Sequence, residues 1–61
     1  MRYRFTYKKK VTEKRVSRIE RMTFFRVFGK EPTQEDLLEI VREHGQGNLI
    51  EDTIEIAKVV E

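Results

Sequence analysis

Residues 2–11 (RYRFTYKKKV) alternate in character. Tyr3, Phe5 and Tyr7 fall on one side; Arg2, Arg4, Thr6, Lys8 and Lys10 fall on the other. Aromatic and β-branched residues at a period of two predict a half-buried strand. Residues 12–15 (TEKR) are polar and predict a turn, although the Asn-Gly or Asp-Gly pair that favours tight hairpins is missing. Residues 16–28 (VSRIERMTFFRVF) return as a second strand. A loop centred on Glu13-Lys14 sets Phe5 opposite Met22, Tyr3 opposite Phe24 and Val11 opposite Val16, all cross-strand apolar pairs. A slip of one residue turns one strand's apolar set away from the core, which disfavours it. Phe25 and Val27 then lie on the basic side and Arg26 on the apolar side. A bulge near Phe24-Phe25 would cure that, or both faces are covered at that end.

Gly29 ends the second strand. Thr33 is placed to cap a helix, with Pro32 before it and Asp36 three positions on as a variant capping box. Residues 34–44 (QEDLLEIVREH) set Leu37, Ile40, Val41 and His44 at helical spacing, with Leu38 beside them. Glu35, Asp36 and Glu39 suit the positive end of the helix, and Gly45 reads as its C-terminal stop. After the loop 45–48 (GQGN), residues 49–60 (LIEDTIEIAKVV) read as a third strand. In it Ile54, Ile56, Lys58 and Val60 share one side, and Thr53, Glu55, Ala57 and Val59 the other.

The predicted fold class is therefore α+β: a small single domain over residues 1–61, ordered β-β-α-β. The helix carries the chain back, so the third strand runs antiparallel to the first and pairs beside it. The first strand is then central in a three-stranded antiparallel sheet, and the helix packs on the aromatic face (Tyr3, Phe5, Tyr7, Met22, Phe24, Ile54, Ile56). The other face is open and largely basic, and the outer side of the helix is acidic.

Composition narrows the function. A chain of 61 residues buries only about 60% of its unfolded surface, so the core is thin and a deep catalytic cleft would consume it. With no cysteine, disulfides and thiolate metal sites are excluded. No apolar run approaches a membrane span, and no secretory signal follows the basic start, so a soluble cytoplasmic protein with no membrane partner is expected. Abundant Glu, Lys, Arg, Ile and Val suit a heat-adapted protein.

Charge is unevenly distributed. The formal net charge is +2, yet residues 1–30 carry 11 basic and 2 acidic residues (+9), while residues 31–61 carry 2 basic and 9 acidic (−7). Arg2, Arg4, Lys8, Lys10 and Arg21 on one hairpin face are the candidate nucleic-acid-binding residues, each suited to a phosphate. Phe25, if outward, could stack on a base. The plainer account is a solvated face paired with Glu20 and Glu55.

The remaining motifs read structurally. Lys8-Lys9-Lys10 is too short for a localisation patch and suits edge protection. His44 has Ile40 and Val41 where a second metal ligand would sit, and no Ser or Cys nucleophile near it in sequence. Gly45-Gln46-Gly47 follows a helix, whereas phosphate loops precede one. The helix carboxylates show no acid/base or Ca²⁺ spacing. No catalytic residue, metal site or cofactor is expected. Two classes of function stay open: a non-catalytic module that binds nucleic acid through the basic sheet face, or a homo-oligomeric protein-interaction module that self-associates through a sheet edge or through outward Phe25, Val27, Ala57 and Val59.

Overall fold

The computed structural model describes residues 1–60. Strand β1 (Arg2–Glu13), strand β2 (Val16–Val27), helix α1 (Gln34–Gly45) and strand β3 (Leu49–Val59) follow in that order. The three strands form one antiparallel sheet in the order β2-β1-β3. This is the α+β arrangement that the alternation and the helical spacing predict, with the first strand in the centre. Among the described residues, no helix is long and apolar enough to cross a membrane.

The core follows from that placement. Tyr3, Phe5 and Tyr7 of the central strand are buried, together with Leu37 and Val41 of α1. Met22, Phe24, Phe28, Ile40, Leu49, Ile54 and Ile56 pack around them. Phe5 stacks on Phe24 with ring centroids 4.7 Å apart. His44 closes one end: its ring stacks on Phe24 at 4.0 Å, and its Nδ1 shares a 2.6 Å hydrogen bond with the Tyr7 hydroxyl. That hydrogen bond satisfies the one polar atom of a fully buried Tyr7. The helix start is fastened by the expected capping box. Asp36 N donates to Thr33 Oγ1 (3.1 Å) and Thr33 N donates to Asp36 Oδ2 (3.2 Å).

Four local features differ from the sequence reading. First, the β1–β2 register is displaced by two residues: Phe5 faces Phe24, Tyr7 faces Met22 and Tyr3 faces Arg26. The turn is the pair Lys14-Arg15, one position beyond the expected centre, with both residues at positive φ (46° and 69°). A shift of two keeps every side chain on its predicted face, because the strand period is two. Second, there is no bulge at Phe24-Phe25; pairing there is continuous. Phe25 and Val27 simply stand in solvent, 54% and 75% exposed.

Third, the irregularity lies between β1 and β3. Thr6 faces Glu55 but Lys8 faces Ile50, so residues 51–54 stand opposite Tyr7 alone. The Thr53 hydroxyl seals the gap, accepting from Lys8 N (2.9 Å) and donating to the Ile50 carbonyl (2.6 Å). The bulge also reverses side-chain parity, which lets Leu49 join Ile54 and Ile56 against the core. Fourth, Gly45 is the last helical residue rather than the stop. Gln46 takes the left-handed cap position (φ 49°) and its N–H bonds the Arg42 carbonyl. Gly45 is needed for space: a Cβ there would lie 2.8 Å from Leu49 Cβ.

This packing makes three stability predictions. A domain of 61 residues has about 3–9 kcal/mol of stability in total. Phe5→Ala should cost about 3–5 kcal/mol and leave the chain largely unfolded in a thermal melt. Gly45→Ala should destabilise despite alanine's better helix propensity, because overpacking against Leu49 costs about 1–3 kcal/mol against a propensity gain of at most about 1. Gln46→Gly should stabilise by up to about 1 kcal/mol. Denaturant midpoints that rise for Gly45→Ala would refute the close-packing account.

Candidate nucleic-acid interface

α1 covers only one face of the sheet. The opposite face is built from the even-numbered residues of β1 and the odd-numbered residues of β2, as the pairing requires. Arg2, Arg4, Lys8 and Lys10 descend the central strand on that face, and all four are exposed. Arg21 lies directly opposite Lys8 across the β1–β2 ladder and is exposed as well. The five residues singled out from the sequence thus occupy one surface.

Their neighbours set the character of that surface. Arg4 is flanked by Phe25 on β2 and Ala57 on β3; Arg2 is flanked by Val27 and Val59. Thr6 is buried between Thr23 and Glu55, and its hydroxyl lies 3.4 Å from that of Thr23. A depression of about 180 Å³ is lined by Thr6, Lys8, Arg21, Thr53 and Glu55 beside the bulge. Arg4, Lys8, Lys10 and Arg21 meet no carboxylate within ion-pair distance among the described residues. Like charges directly opposite each other, as Lys8 and Arg21 are, destabilise an antiparallel pair.

The molecule's own carboxylates are used elsewhere. Arg18, on the other side of the hairpin, is held by Glu20 (2.8 Å) and Glu13 (3.4 Å). Arg42 pairs with Glu51 at 2.9 Å. Glu31 accepts the Tyr3 hydroxyl at 2.6 Å and meets Lys58 Nζ at 3.4 Å. That cluster ties the connection after β2 to the end of β1 that carries Arg2 and Arg4. Glu35, Asp36, Glu39 and Glu43 are exposed on α1. Asp36, Glu39 and Glu43 rim an open groove of about 610 Å³ floored by Phe28 and Ile40. Such a groove repels phosphate. Among the described residues no cluster of His, Asp and Glu is arranged to hold a metal ion.

No protein-family model, curated protein or solved structure matches this chain. Function therefore rests on the chemistry of the surface itself. One part of that surface, the Lys14-Arg15 tip, is not marked by the sequence pattern, in which residues 12–15 read only as a connection. The signal that marks the tip is the length of the hairpin beside a shorter third strand, which needs the β3 register to be seen.

The Tyr3–Glu31 bond makes a pH prediction. The hydroxyl of Tyr3, with help from Lys58, holds the Glu31 carboxyl below its ordinary value of 4.5, against a smaller opposing effect of burial. The unfolded chain then binds that proton more readily, so this contribution to stability is present above pH 4.5 and is lost as pH falls through the lower folded-state value. Tyr3 itself is raised above 10.0, chiefly by the same hydrogen bond, so its contribution is present below pH 10.0 and is lost as pH rises beyond it. Tyr3→Phe should flatten the stability profile at both ends. Unfolding measured across acid and alkaline pH that keeps the wild-type slopes in this variant would exclude the coupling.

Proposed function

We propose that the protein is a non-catalytic module that binds nucleic acid through the uncovered sheet face, in the cytoplasm, with Arg2, Arg4, Lys8, Lys10 and Arg21 contacting phosphates. The observation that carries this reading is the Lys8–Arg21 pair. Two cations face each other across a ladder, and neither is within ion-pair distance of a carboxylate among the described residues; Glu55 lines the same depression without pairing to them, and Glu20 on β2 serves Arg18 instead. An anionic ligand bridging both would turn a local repulsion into an attraction. Phosphates spaced along a strand supply such a ligand, and an open sheet face suits an extended polyanion better than a small metabolite. Phe25 beside Arg4 adds an aromatic surface that a base can stack on.

Five phosphate contacts imply a slope of log affinity against log salt of about −4.5, or about 500-fold weaker binding on going from about 50 to about 200 mM salt. Labelled single- and double-stranded DNA and RNA, titrated at both salt levels, should show that dependence. Arg4→Glu combined with Lys8→Glu should abolish binding without unfolding the domain, since both side chains are exposed. Absence of binding at low salt, or affinity unchanged in the double variant, would end this reading.

A second reading is a homo-oligomeric protein-interaction module, favoured by the exposure of Phe25 (54%) and Val27 (75%) on the same face. Light scattering separates the two. A tight dimer broken by Phe25→Ser, with no affinity for nucleic acid, would favour the second.

A further inference from the structure

The hairpin is longer than the sheet it belongs to. Pairing of β1 with β3 ends at Lys9–Leu49, with one further bond from Lys10 N to the Asn48 carbonyl at 3.0 Å. Beyond it, Val11–Arg18, Thr12–Ser17 and Glu13–Val16 pair only with each other, and Lys14-Arg15 makes the turn. This overhang is why the molecule measures 43 × 21 × 17 Å. From Lys10 to Lys14 the ribbon reaches about 13 Å, with its two strands about 4.8 Å apart.

The two sides of the overhang differ. On one side Arg18 is neutralised by Glu13 and Glu20. The other continues the basic sheet face through Lys10, Thr12, Ser17 and Ile19, all exposed, with Thr12 and Ser17 hydroxyls 3.2 Å apart. The tip is locally unfavourable. Lys14 (φ 46°) and Arg15 (φ 69°) both occupy the left-handed region, which a two-residue turn of this kind normally fills with Asn-Gly or Asp-Gly. Neither meets a carboxylate among the described residues. Two cations are thus held at the end of an unsupported ribbon, in a backbone conformation that suits other residues better. Strain of that kind concentrates at sites of function.

We propose that this overhang enters the major groove of duplex DNA, with Lys14 and Arg15 at the base edges. The proposal rests on the nucleic-acid reading above and narrows its ligand to one class. The major groove of B-form DNA is about 12 Å wide and about 8.5 Å deep, and it admits a two-stranded β-ribbon. The overhang is long enough to bring its tip to the floor. Arg and Lys are the usual partners of guanine O6 and N7, and Ile19 offers an apolar contact for a thymine methyl group. Arg2, Arg4, Lys8 and Arg21, farther back on the same face, then meet the flanking phosphates and set orientation. Duplex RNA is a poor fit because its major groove is too narrow for side chains to read. Single strands are a poor fit for the overhang because residues 10–19 contain no aromatic residue on which bases could stack.

The unfavourable turn supplies a test that separates function from folding. Lys14→Asn with Arg15→Gly places the preferred residues at the positive-φ positions, so the melting temperature should rise. Affinity for duplex DNA should fall at least about tenfold and sequence preference should relax, while the salt slope stays close to that of the wild type because the phosphate contacts are untouched. A charge-matched control, Arg26→Gln with Lys30→Gln, removes two cations outside the overhang and should change affinity little. Dimethyl sulfate footprinting should show protection of guanine N7, in the major groove, and none of adenine N3, in the minor groove. Wild-type protein should prefer duplex DNA over duplex RNA and single strands of the same length. Equal affinity for duplex RNA, unprotected guanine N7, or a control as weak as the tip variant would overturn the proposal. Binding that survives the tip exchange but is lost in the Arg4→Glu, Lys8→Glu variant would overturn it alone. Absence of any nucleic-acid binding at low salt would remove the broader reading with it.

Discussion

The structure depends on the burial of one strand's aromatic edge beneath one helix. Tyr3, Phe5 and Tyr7 point the same way from the central strand, and Leu37 and Val41 are the helix residues fully sunk among them. A single twelve-residue helix covers one sheet face and leaves none over for the other. The far face is therefore obliged to be compatible with water. Its occupants, cations interleaved with threonine and Glu55, satisfy that obligation, with Phe25 and Val27 exposed beside them. Core and candidate interface are two consequences of the same alternation, since each strand residue turned inward places its neighbours outward.

Solvation alone does not explain the arrangement found. A face that merely needed to be polar could set opposite signs directly across from each other and so strengthen the ladder, yet Glu55 of β3 lies opposite Thr6 and not opposite a cation. Glu20 shows that carboxylates are available on β2, yet it points to the helix side and serves Arg18. The open side keeps Lys8 against Arg21. At the tip, Lys14 and Arg15 occupy a turn that other residues would make more stable. Natural sequences tend to agree with their own fold at every local choice, and departures gather where something other than folding selects the residue. Both departures lie along one continuous basic surface, which is why they are read together.

The alternation made the face of every β1 residue legible, and the helical spacing with Thr33 and Asp36 made the helix legible to within a residue. What escaped was longitudinal position. Lys14-Arg15 carries none of the chemistry that marks a tight turn, so the pattern centres the turn one position early and slides the register by two. The bulge at residues 51–54 escaped for a different reason: it is sealed by the hydroxyl of Thr53, and one threonine in a β-branched run looks like any strand residue. Gly45 was recognised as a helix terminus but for its backbone freedom. Its role is instead to leave room for Leu49, a long-range contact that local patterning does not encode. The five cations were placed on one face because that inference needs only parity, whereas the overhang of the hairpin needs the pairing of β1 with β3.

The folded arrangement also changes what the net charge means. A value of +2 suggests weak interaction with a polyanion, but the two signs are unevenly spread in space, even though Glu55 stands on the basic sheet face. The basic half of the chain is the hairpin, and the acidic half contributes the exposed carboxylates of α1 on the opposite side of the sheet. A phosphate approaching the helix meets Glu35, Asp36, Glu39 and Glu43; one approaching the sheet meets Arg2, Arg4, Lys8 and Arg21. Within the roughly 8 Å over which charges act at physiological salt, the relevant charge is that of the nearer face and not the sum. On the proposed reading, the acidic helix would disfavour the wrong orientation while the hairpin favours the right one. A small domain that can bury so little surface gains orientation at the encounter from electrostatics, without needing a large contact area to enforce it.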